Sequence, residues 1–80
     1  MHSAKPNPIR VTSLFGPVAT FSIEGTTYAS YEAQVRANGT VSLLAYTNEN
    51  SMYPLTRPQA DEVARQVRAM RELGITRLPA

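Results

Sequence analysis

Four arginines near the C-terminal end of the sequence are the side chains best suited to chemistry with a partner. They fall within about 120° of arc on one predicted helix, at roughly 100° per residue: Arg57, Arg65, Arg68 and Arg71. A guanidinium group donates paired hydrogen bonds to a carboxylate or a phosphate. The pattern is therefore typical of a surface that contacts an acidic protein or a nucleic acid.

The same arc also contains carboxylates, and these open a second interpretation. Asp61 stands four residues from both Arg57 and Arg65, and Glu72 stands four residues from Arg68. Each such pair of opposite charges stabilises a helix by a few tenths of a kcal/mol. Because helices commonly carry such pairs on their solvated face, the spacing favours a self-paired surface, with a partner-binding surface as the alternative.

The outer face of a predicted sheet is the second candidate surface. Leu44 and Tyr46 are expected to point outwards there, although solubility does not explain them, and Tyr28 is expected on the same face. The charges predicted for this face nearly cancel: Arg10 and Arg36 against Glu24 and Glu32. Sheets that read nucleic acid combine aromatic platforms with a basic field. The face therefore suits a solvated sheet or a protein contact better than DNA.

The sequence offers little for catalysis or for binding a metal. It has no cysteine, and its one histidine, His2, and its one lysine, Lys5, lie in the same N-terminal stretch. The adjacent acids Asp61 and Glu62 fall in a predicted first helical turn, where the helix dipole favours acids. No glycine-rich loop leads from a strand into the helix to hold a phosphate. We therefore expect a protein that is not an enzyme and that needs no cofactor and no metal.

The helix that carries the arginines has clear limits. Thr56 and Gln59 have the spacing of a capping box at its start. Gly74 suits the left-handed conformation that ends a helix, with Ile75 folding back on Met70. Between these limits an apolar stripe runs at three- and four-residue spacings: Ala60, Val63, Ala64, Val67, Met70 and Gly74. Such a stripe needs an apolar surface to cover.

Three stretches of alternating side chains predict the strands that supply this surface. They cover residues 9–15, 18–24 and 28–37, and turn signals at Gly16-Pro17 and Gly25-Thr26 separate them. The side chains expected to face inwards are Ile9, Val11, Ser13, Phe15, Ala19, Phe21, Ile23, Ala29, Tyr31, Ala33, Val35 and Ala37. The third stretch is the longest and is expected to be central.

The Asn38-Gly39 pair predicts a hairpin into a fourth strand, and the length of its loop sets the register. A two-residue loop places Val35 opposite Ser42, whereas a three-residue loop with Gly39 in a bulge places Val35 opposite Val41. The apolar pattern favours the three-residue loop. That loop also predicts further pairs and outward positions: Ala33 with Leu43, Tyr31 with Ala45, and Leu44 and Tyr46 outside.

The remaining segments complete the predicted fold. Residues 48–51 read as a polar loop, residues 52–55 as the connection to the helix cap with Leu55 as an apolar staple, and Ile75 and Leu78 as side chains that dock on the core. Prolines in Met1–Pro8 predict a flexible tail. We expect residues 9–80 to form a single α+β domain, a four-stranded antiparallel meander with one C-terminal helix packed across its apolar face (ββββα).

Composition places the chain among ordinary soluble domains. It has 80 residues, 42% of them hydrophobic, and a formal net charge of +2, and seven of its eight basic residues are arginine. That charge excess is too small to indicate a nucleic-acid partner by itself. No apolar run approaches the roughly 20 residues that a membrane span requires. A cytoplasmic location without membrane contact is therefore expected.

In size, in its preference for arginine over lysine and in a strand-rich layout with one helix, the chain resembles small proteins of phages and mobile elements, among them anti-CRISPR inhibitors. As a class, these inhibitors occupy a surface of a host nucleoprotein complex. The resemblance covers the whole chain and rests on no particular residue. It implies a bacterial setting and a protein partner, and it assigns no role to any position.

Together these observations predict a small non-enzymatic protein-interaction module, an inhibitor of the anti-CRISPR type that binds a host nucleoprotein complex. The residues expected to contact the partner are Arg57, Arg65, Arg68, Arg71, Arg36, Tyr46 and Leu44. The alternative is a small nucleic-acid-binding or regulatory protein that uses the arginine-bearing helix face. Homodimerisation, through an open sheet edge or through Leu44 and Tyr46, is a further expectation.

Overall fold

The computed structural model describes residues 8–77, in which five strands precede one helix. The elements are β1 (Ile9–Phe15), β2 (Val18–Ile23), β3 (Tyr31–Val35), β4 (Val41–Thr47), β5 (Met52–Pro54) and α1 (Arg57–Leu73). The strands form one antiparallel sheet in chain order, and α1 packs against β1, β2 and β4. The predicted α+β class is confirmed, but the sheet has five strands rather than four. The predictions for His2 and Lys5 in the tail, and for Leu78, lie outside the described residues.

The fifth strand forms where the sequence predicted only a connection to the helix. Tyr53 pairs with Ala45 in the middle of β5, and the Tyr53 ring lies edge-on to Tyr31 with 4.9 Å between ring centroids. Pro54 has no N–H to donate, which weighs against a strand unless that strand lies at an edge. Since β5 is an edge strand, Pro54 is tolerated there.

A bulge in β1 reverses the predicted facing of its second half. Thr12 is an extra residue in the ladder, and its hydroxyl donates to the Thr20 carbonyl at 3.2 Å. Leu14 consequently faces the core, while Phe15 is 85% exposed. The prediction that Ser13 and Phe15 point inwards is wrong because a bulge shifts the two-residue alternation by one position.

β3 is central, as predicted, but it is only five residues long. Its inward residues Tyr31, Ala33 and Val35 are buried, as predicted, whereas Ala29 and Ala37 lie beyond the strand and are exposed. The segment before β3 turns back on the core: Tyr28 packs edge-on to Tyr31 at 5.9 Å between ring centroids. The prediction that Tyr28 stands on the outer face is therefore wrong.

The hairpin between β3 and β4 has the predicted turn. Val35 pairs with Val41, Gly39 has φ 90°, and the Arg36 N–H donates to the Thr40 carbonyl at 2.8 Å. Beyond this pair β4 contains two extra residues, so Ala33 pairs with Ala45 and Tyr31 with Thr47. The predicted Ala33–Leu43 and Tyr31–Ala45 pairs are wrong.

The irregular part of β4 has its own hydrogen bonds. The Leu44 N–H donates to the Ser42 hydroxyl at 3.2 Å, and the Leu43 carbonyl accepts from the Leu55 N–H at 2.6 Å. Leu43 is 43% exposed instead of buried, whereas Leu44 and Tyr46 are exposed as predicted. Because two residues are inserted, the alternation of faces is the same before and after the bulge.

The helix begins and ends as the sequence predicted. The Gln59 N–H donates to the Thr56 hydroxyl at 3.3 Å, and the Thr56 N–H donates to the Gln59 side chain at 2.9 Å. At the other end Gly74 has φ 71°, and the Ile75 N–H donates to the Met70 carbonyl at 3.0 Å. The stripe packs on the sheet through its central members: Ala60, Val63, Val67 and Met70 are buried, Ala64 is half-buried and Gly74 is exposed. This helix is neither long nor apolar enough to cross a membrane.

Removing the capping hydroxyl tests how much the helix start contributes. We expect Thr56→Ala to lower the free energy of unfolding by about 1 kcal/mol, since the Gln59 N–H loses its acceptor. Thr56→Ser retains the hydroxyl and should stay within about 0.5 kcal/mol of the wild type. Urea unfolding followed by circular dichroism measures both. Equal losses in the two variants would contradict a capping role.

The β1 edge of the sheet is closed by residues from the far end of the chain. The Gln66 side chain donates to the Ile9 carbonyl at 2.7 Å and accepts from the Val11 N–H at 2.8 Å. Farther along β1 the Leu14 N–H donates to the Thr76 carbonyl at 2.7 Å. The open edge is therefore β5, where Pro54 removes one donor.

Candidate interaction surfaces

Exposed apolar side chains lie on both sides of β3, on the face of the sheet opposite α1. Cross-strand pairing puts Phe15 beside Val18, Leu44 beside Pro54 and Tyr46 beside Met52 on that face. We call these six residues the outer-face band. Phe15 is 85% exposed, Met52 60%, Tyr46 55% and Leu44 47%. Because the core lies on the other side of the sheet, burial in the fold does not explain these side chains.

The band surrounds a shallow depression of about 390 Å³ in the outer face. It lies over β2, β3 and β4, beside the irregular stretch of β4. Its lining residues are Val18, Glu32, Ala33, Gln34, Ser42, Leu44 and Tyr46. Glu32 pairs with both Thr20 and Tyr46, and it is the one charged residue among those that line the depression.

The sequence did not predict three members of the band. Phe15 was assigned to the core because the Thr12 bulge was not foreseen, and Met52 and Pro54 were assigned to the connection before the helix. The alternation of Met52, Tyr53 and Pro54 was the available signal for an edge strand, and Pro54 obscured it. Leu44 and Tyr46 lie in the band, as the sequence indicated.

The four helix arginines line a groove between α1 and the turn that joins β3 to β4. Two adjoining depressions of about 320 and 270 Å³ share Asn38, Gly39, Ala64 and Arg68. We call their union the helix–turn groove. Its other lining residues are Thr40, Val41, Arg57, Ala60, Asp61, Arg65, Val67, Arg71 and Glu72. The sequence predicted the arginines but not the turn that faces them.

The ion pairs on the helix differ from the predicted ones. Within residues 8–77 the one ion pair shorter than 4.0 Å joins Arg65 to Glu62, three positions apart. The Arg65 Nε donates to Glu62 Oε1 at 3.0 Å, and the Gln66 amide donates to Glu62 Oε2 at 2.7 Å. The predicted pairs through Asp61 and Glu72 are wrong for the described residues. For Arg65 the reason is that Gln66 holds the Glu62 carboxylate where Arg65 reaches it.

The same contacts shift two pKa values. Hydrogen bonds from Arg65 and then Gln66 lower the pKa of the Glu62 carboxyl, and the hydrogen bond to Glu62 raises the pKa of Arg65. A carboxyl whose pKa is lower in the folded state stabilises the fold above its unfolded pKa. That contribution is lost as pH falls through the folded value.

A pH series on Glu62→Gln tests this contact. We expect the stability difference between the wild type and the variant to be constant near neutral pH and to shrink as pH falls below the usual carboxyl value of 4.5. Glu72→Gln is the control, since no arginine of the described chain lies within ion-pair distance of Glu72. Thermal unfolding in a series of buffers gives the difference. A difference that stays constant in acid would contradict the contact.

Arg36 lies in the turn between β3 and β4 and is not one of the residues that line the helix–turn groove. Its Nη1 donates to the Thr40 hydroxyl at 3.4 Å, and Thr40 is one of the groove residues. Thr40 in turn donates to the Asn38 side chain from its N–H at 3.0 Å and from its hydroxyl at 2.8 Å. The arginine that the sequence assigned to the outer sheet face is therefore tied to this turn.

In the described part of the chain, no three or more His, Cys, Asp or Glu residues gather to form a metal-binding group. No protein-family model, no curated protein and no solved structure matches the chain.

Proposed function

We propose that the protein is a non-enzymatic interaction module that binds a protein partner through the outer-face band. The supporting observation is the exposure of four large apolar side chains on one face of the sheet, between 47% and 85% each. Exposed apolar side chains of this kind, here on both sides of Glu32 and Gln34, are typical of protein contacts. Burying a large apolar side chain contributes about 1.5–3 kcal/mol, so a few of these residues suffice for a stable complex.

The chemistry of the band suggests what the partner presents. The depression beside Leu44 and Tyr46 has room for a protruding apolar side chain. Glu32 lines the same depression, and a partner that covers it must place a hydrogen-bond donor or a cation opposite its carboxylate, because burying a carboxylate without a partner costs free energy. We therefore propose a folded partner with an apolar knob and a neighbouring donor.

The mode of action we propose is occupation of a partner surface. A chain of 80 residues with this exposed face blocks another molecule's contacts without any turnover. This is how inhibitors of the anti-CRISPR type act on a host nucleoprotein complex, and the arginine-rich composition supports the same proposal. The site of action would be the bacterial cytoplasm.

Site-specific photo-crosslinking tests the proposal. A benzophenone amino acid at position 46 or 52 should crosslink the chain to one partner in bacterial cells, and the same group at position 73, exposed at the end of α1 and outside the helix–turn groove, should not. The captured partner is then purified and its affinity measured. We expect Leu44→Asp to weaken binding about tenfold or more.

Leu73→Asp is the matched control, because Leu73 is also a large apolar residue, 73% exposed, but lies at the end of α1. Its affinity should equal that of the wild type. Circular dichroism should show both variants folded, since both positions are exposed. Unchanged affinity in Leu44→Asp would remove the outer-face band from the contact. If the wild type forms dimers as its concentration rises and Leu44→Asp abolishes them, the band instead binds a second copy of the chain.

A further inference from the structure

We infer that the helix–turn groove is a second binding site, one that takes an acidic segment of another protein in an extended conformation. It lies on the helix side of the sheet, so it does not depend on the outer-face band. The inference rests on the charges of its walls, the size of its floor and the order of the facing turn.

The walls of the groove carry cations that the fold leaves unused. Arg57, Arg68 and Arg71 are exposed, and within the chain that the structure describes no carboxylate approaches them to 4.0 Å. Arg65 is different, because Glu62 already binds it. Carboxylates of a bound segment would therefore meet three guanidinium groups that are ready to donate paired hydrogen bonds.

The floor between these arginines is small and apolar. Ala60 and Ala64 of α1 face Val41 across the groove. A side-chain carbon at Gly39 would meet no atom within 4 Å, so space is open above the turn. An extended segment points alternate side chains to opposite sides. Its apolar side chains would contact the floor while the acidic ones reach the arginines.

The dimensions fit a short stretch of peptide. Arg57 and Arg71 lie about 21 Å apart along the helix axis, and about six residues of extended chain span that distance. The turn opposite is already ordered, since the Asn38 side chain accepts two hydrogen bonds from Thr40. A wall that is fixed before binding loses little conformational entropy when a ligand arrives.

The groove favours an acidic peptide over a nucleic acid. Asp61 and Glu72 stand in its walls, one in each depression, where they would repel the nearby phosphates of a nucleic acid. Sites for single strands add aromatic rings for base stacking, and none of the residues that line this groove in the described chain is aromatic. A peptide can place its acidic side chains beside the arginines of the groove, and its neutral residues and N–H donors beside Asp61 and Glu72.

Fluorescence anisotropy with defined probes tests the site. The probe is a fluorescein-labelled peptide that alternates glutamate with leucine, and the same peptide with glutamine in place of glutamate is its neutral counterpart. At low salt we expect binding of the acidic peptide only. Arg68→Glu should weaken it about tenfold or more. Arg10→Glu makes the same charge change on β1, at an exposed site away from the groove, and should leave affinity within about threefold.

A substitution that leaves the net charge unchanged distinguishes binding in the groove from general electrostatic attraction to the protein. Ala64→Met fills the floor, leaves the net charge unchanged and suits a helix, so it should also weaken the acidic peptide about tenfold. Backbone amide shifts of Gly39 and Thr40 should move on titration. Leu44→Asp should leave peptide affinity unchanged, and this keeps the result distinct from the outer-face proposal.

Several results would overturn the inference. Absence of acidic-peptide binding at low salt is one, and equal losses in Arg68→Glu and Arg10→Glu are another. Full affinity in folded Ala64→Met would remove the floor from the site. The last measurement uses labelled single-stranded and duplex DNA as probes. If DNA binds more tightly than the peptide, and its affinity falls steeply as salt rises, the groove is a nucleic-acid site instead.

Discussion

Tyr31→Ala is expected to remove a large part of the free energy of unfolding, about 3–5 kcal/mol. Tyr31 is fully buried at the centre of the sheet. Truncating a buried aromatic residue costs about 3–5 kcal/mol. A chain of this size has a total stability on the order of 4–12 kcal/mol. The loss therefore consumes a large share of what holds the fold together.

The contacts of the Tyr31 ring explain the size of this effect. Its ring stacks on Phe21 at 5.7 Å between centroids and receives Tyr28 and Tyr53 edge-on at 5.9 and 4.9 Å. Each aromatic pair contributes about 0.5–1.5 kcal/mol beyond the area it buries. Alanine removes three such pairs and leaves a cavity between β2, β5 and the loop before β3.

Tyr31→Phe is the matched control. It retains the ring and removes the hydroxyl, which donates to Thr26 Oγ1 at 2.7 Å. Thr26 still donates to the Ile23 carbonyl, so it retains one partner. We expect a loss of about 1 kcal/mol with a cooperative transition. Urea unfolding followed by near- and far-ultraviolet circular dichroism distinguishes the variants. An alanine variant within about 1 kcal/mol of the wild type would contradict the central role of Tyr31.

Gln66→Ala is expected to lower the free energy of unfolding by about 2–4 kcal/mol. The substitution leaves the Ile9 carbonyl and the Val11 N–H without the partner that the Gln66 amide provides. Each unsatisfied and buried polar group costs about 1–3 kcal/mol. Both residues are buried in β1 and the two hydrogen bonds are partly buried, so water replaces the lost partner only in part.

Two further variants sharpen this test. Gln66→Glu can still accept from Val11, but its ionised carboxylate cannot donate to Ile9 and would stand beside Glu62. We therefore expect it to be destabilised near neutral pH and to recover partly in acid. Gln34→Ala, on the exposed outer face, should change stability by less than about 0.5 kcal/mol. Hydrogen exchange at the Val11 amide reports the bond directly, and unchanged protection in Gln66→Ala would refute the edge contact.

The parts of the fold that local sequence signals determine were predictable. A capping box needs only Thr56 and Gln59, and a left-handed stop needs only Gly74. The Asn38-Gly39 turn likewise fixed the Val35–Val41 pair within a few residues. In each case the interacting groups lie close in sequence, so spacing and residue type contain the information.

The errors arose where distant residues decide the outcome. The extra residue at Thr12 and the two in β4 depend on how each strand fits its neighbours. β5 forms because Tyr53 packs on Tyr31, more than twenty residues earlier in the chain. The strand propensity of each residue and the alternation of side chains along a strand contain no information about such long-range contacts. Strand faces beyond a bulge and short edge strands were accordingly misassigned.

The candidate surfaces were predictable in a similar way. The exposure of Leu44 and Tyr46 follows from alternation, and the helix arginines follow from helical spacing. The outer-face band also needs Phe15 and Met52, and the helix–turn groove needs Asn38 and Gly39 opposite Ala64. These neighbours belong to other elements. Only the folded chain brings them together.

The closure of the β1 edge by Gln66 and Thr76 has a consequence for biosynthesis. Gln66 and Thr76 are translated after all five strands, yet they complete the first one. A nascent chain that contains only the strands therefore has an open β1 edge in addition to the open β5 edge, and its apolar sheet face is not covered by α1. Such a nascent chain is prone to aggregate. Final folding must await emergence of the helix from the exit tunnel, and a stall before that point should recruit chaperones.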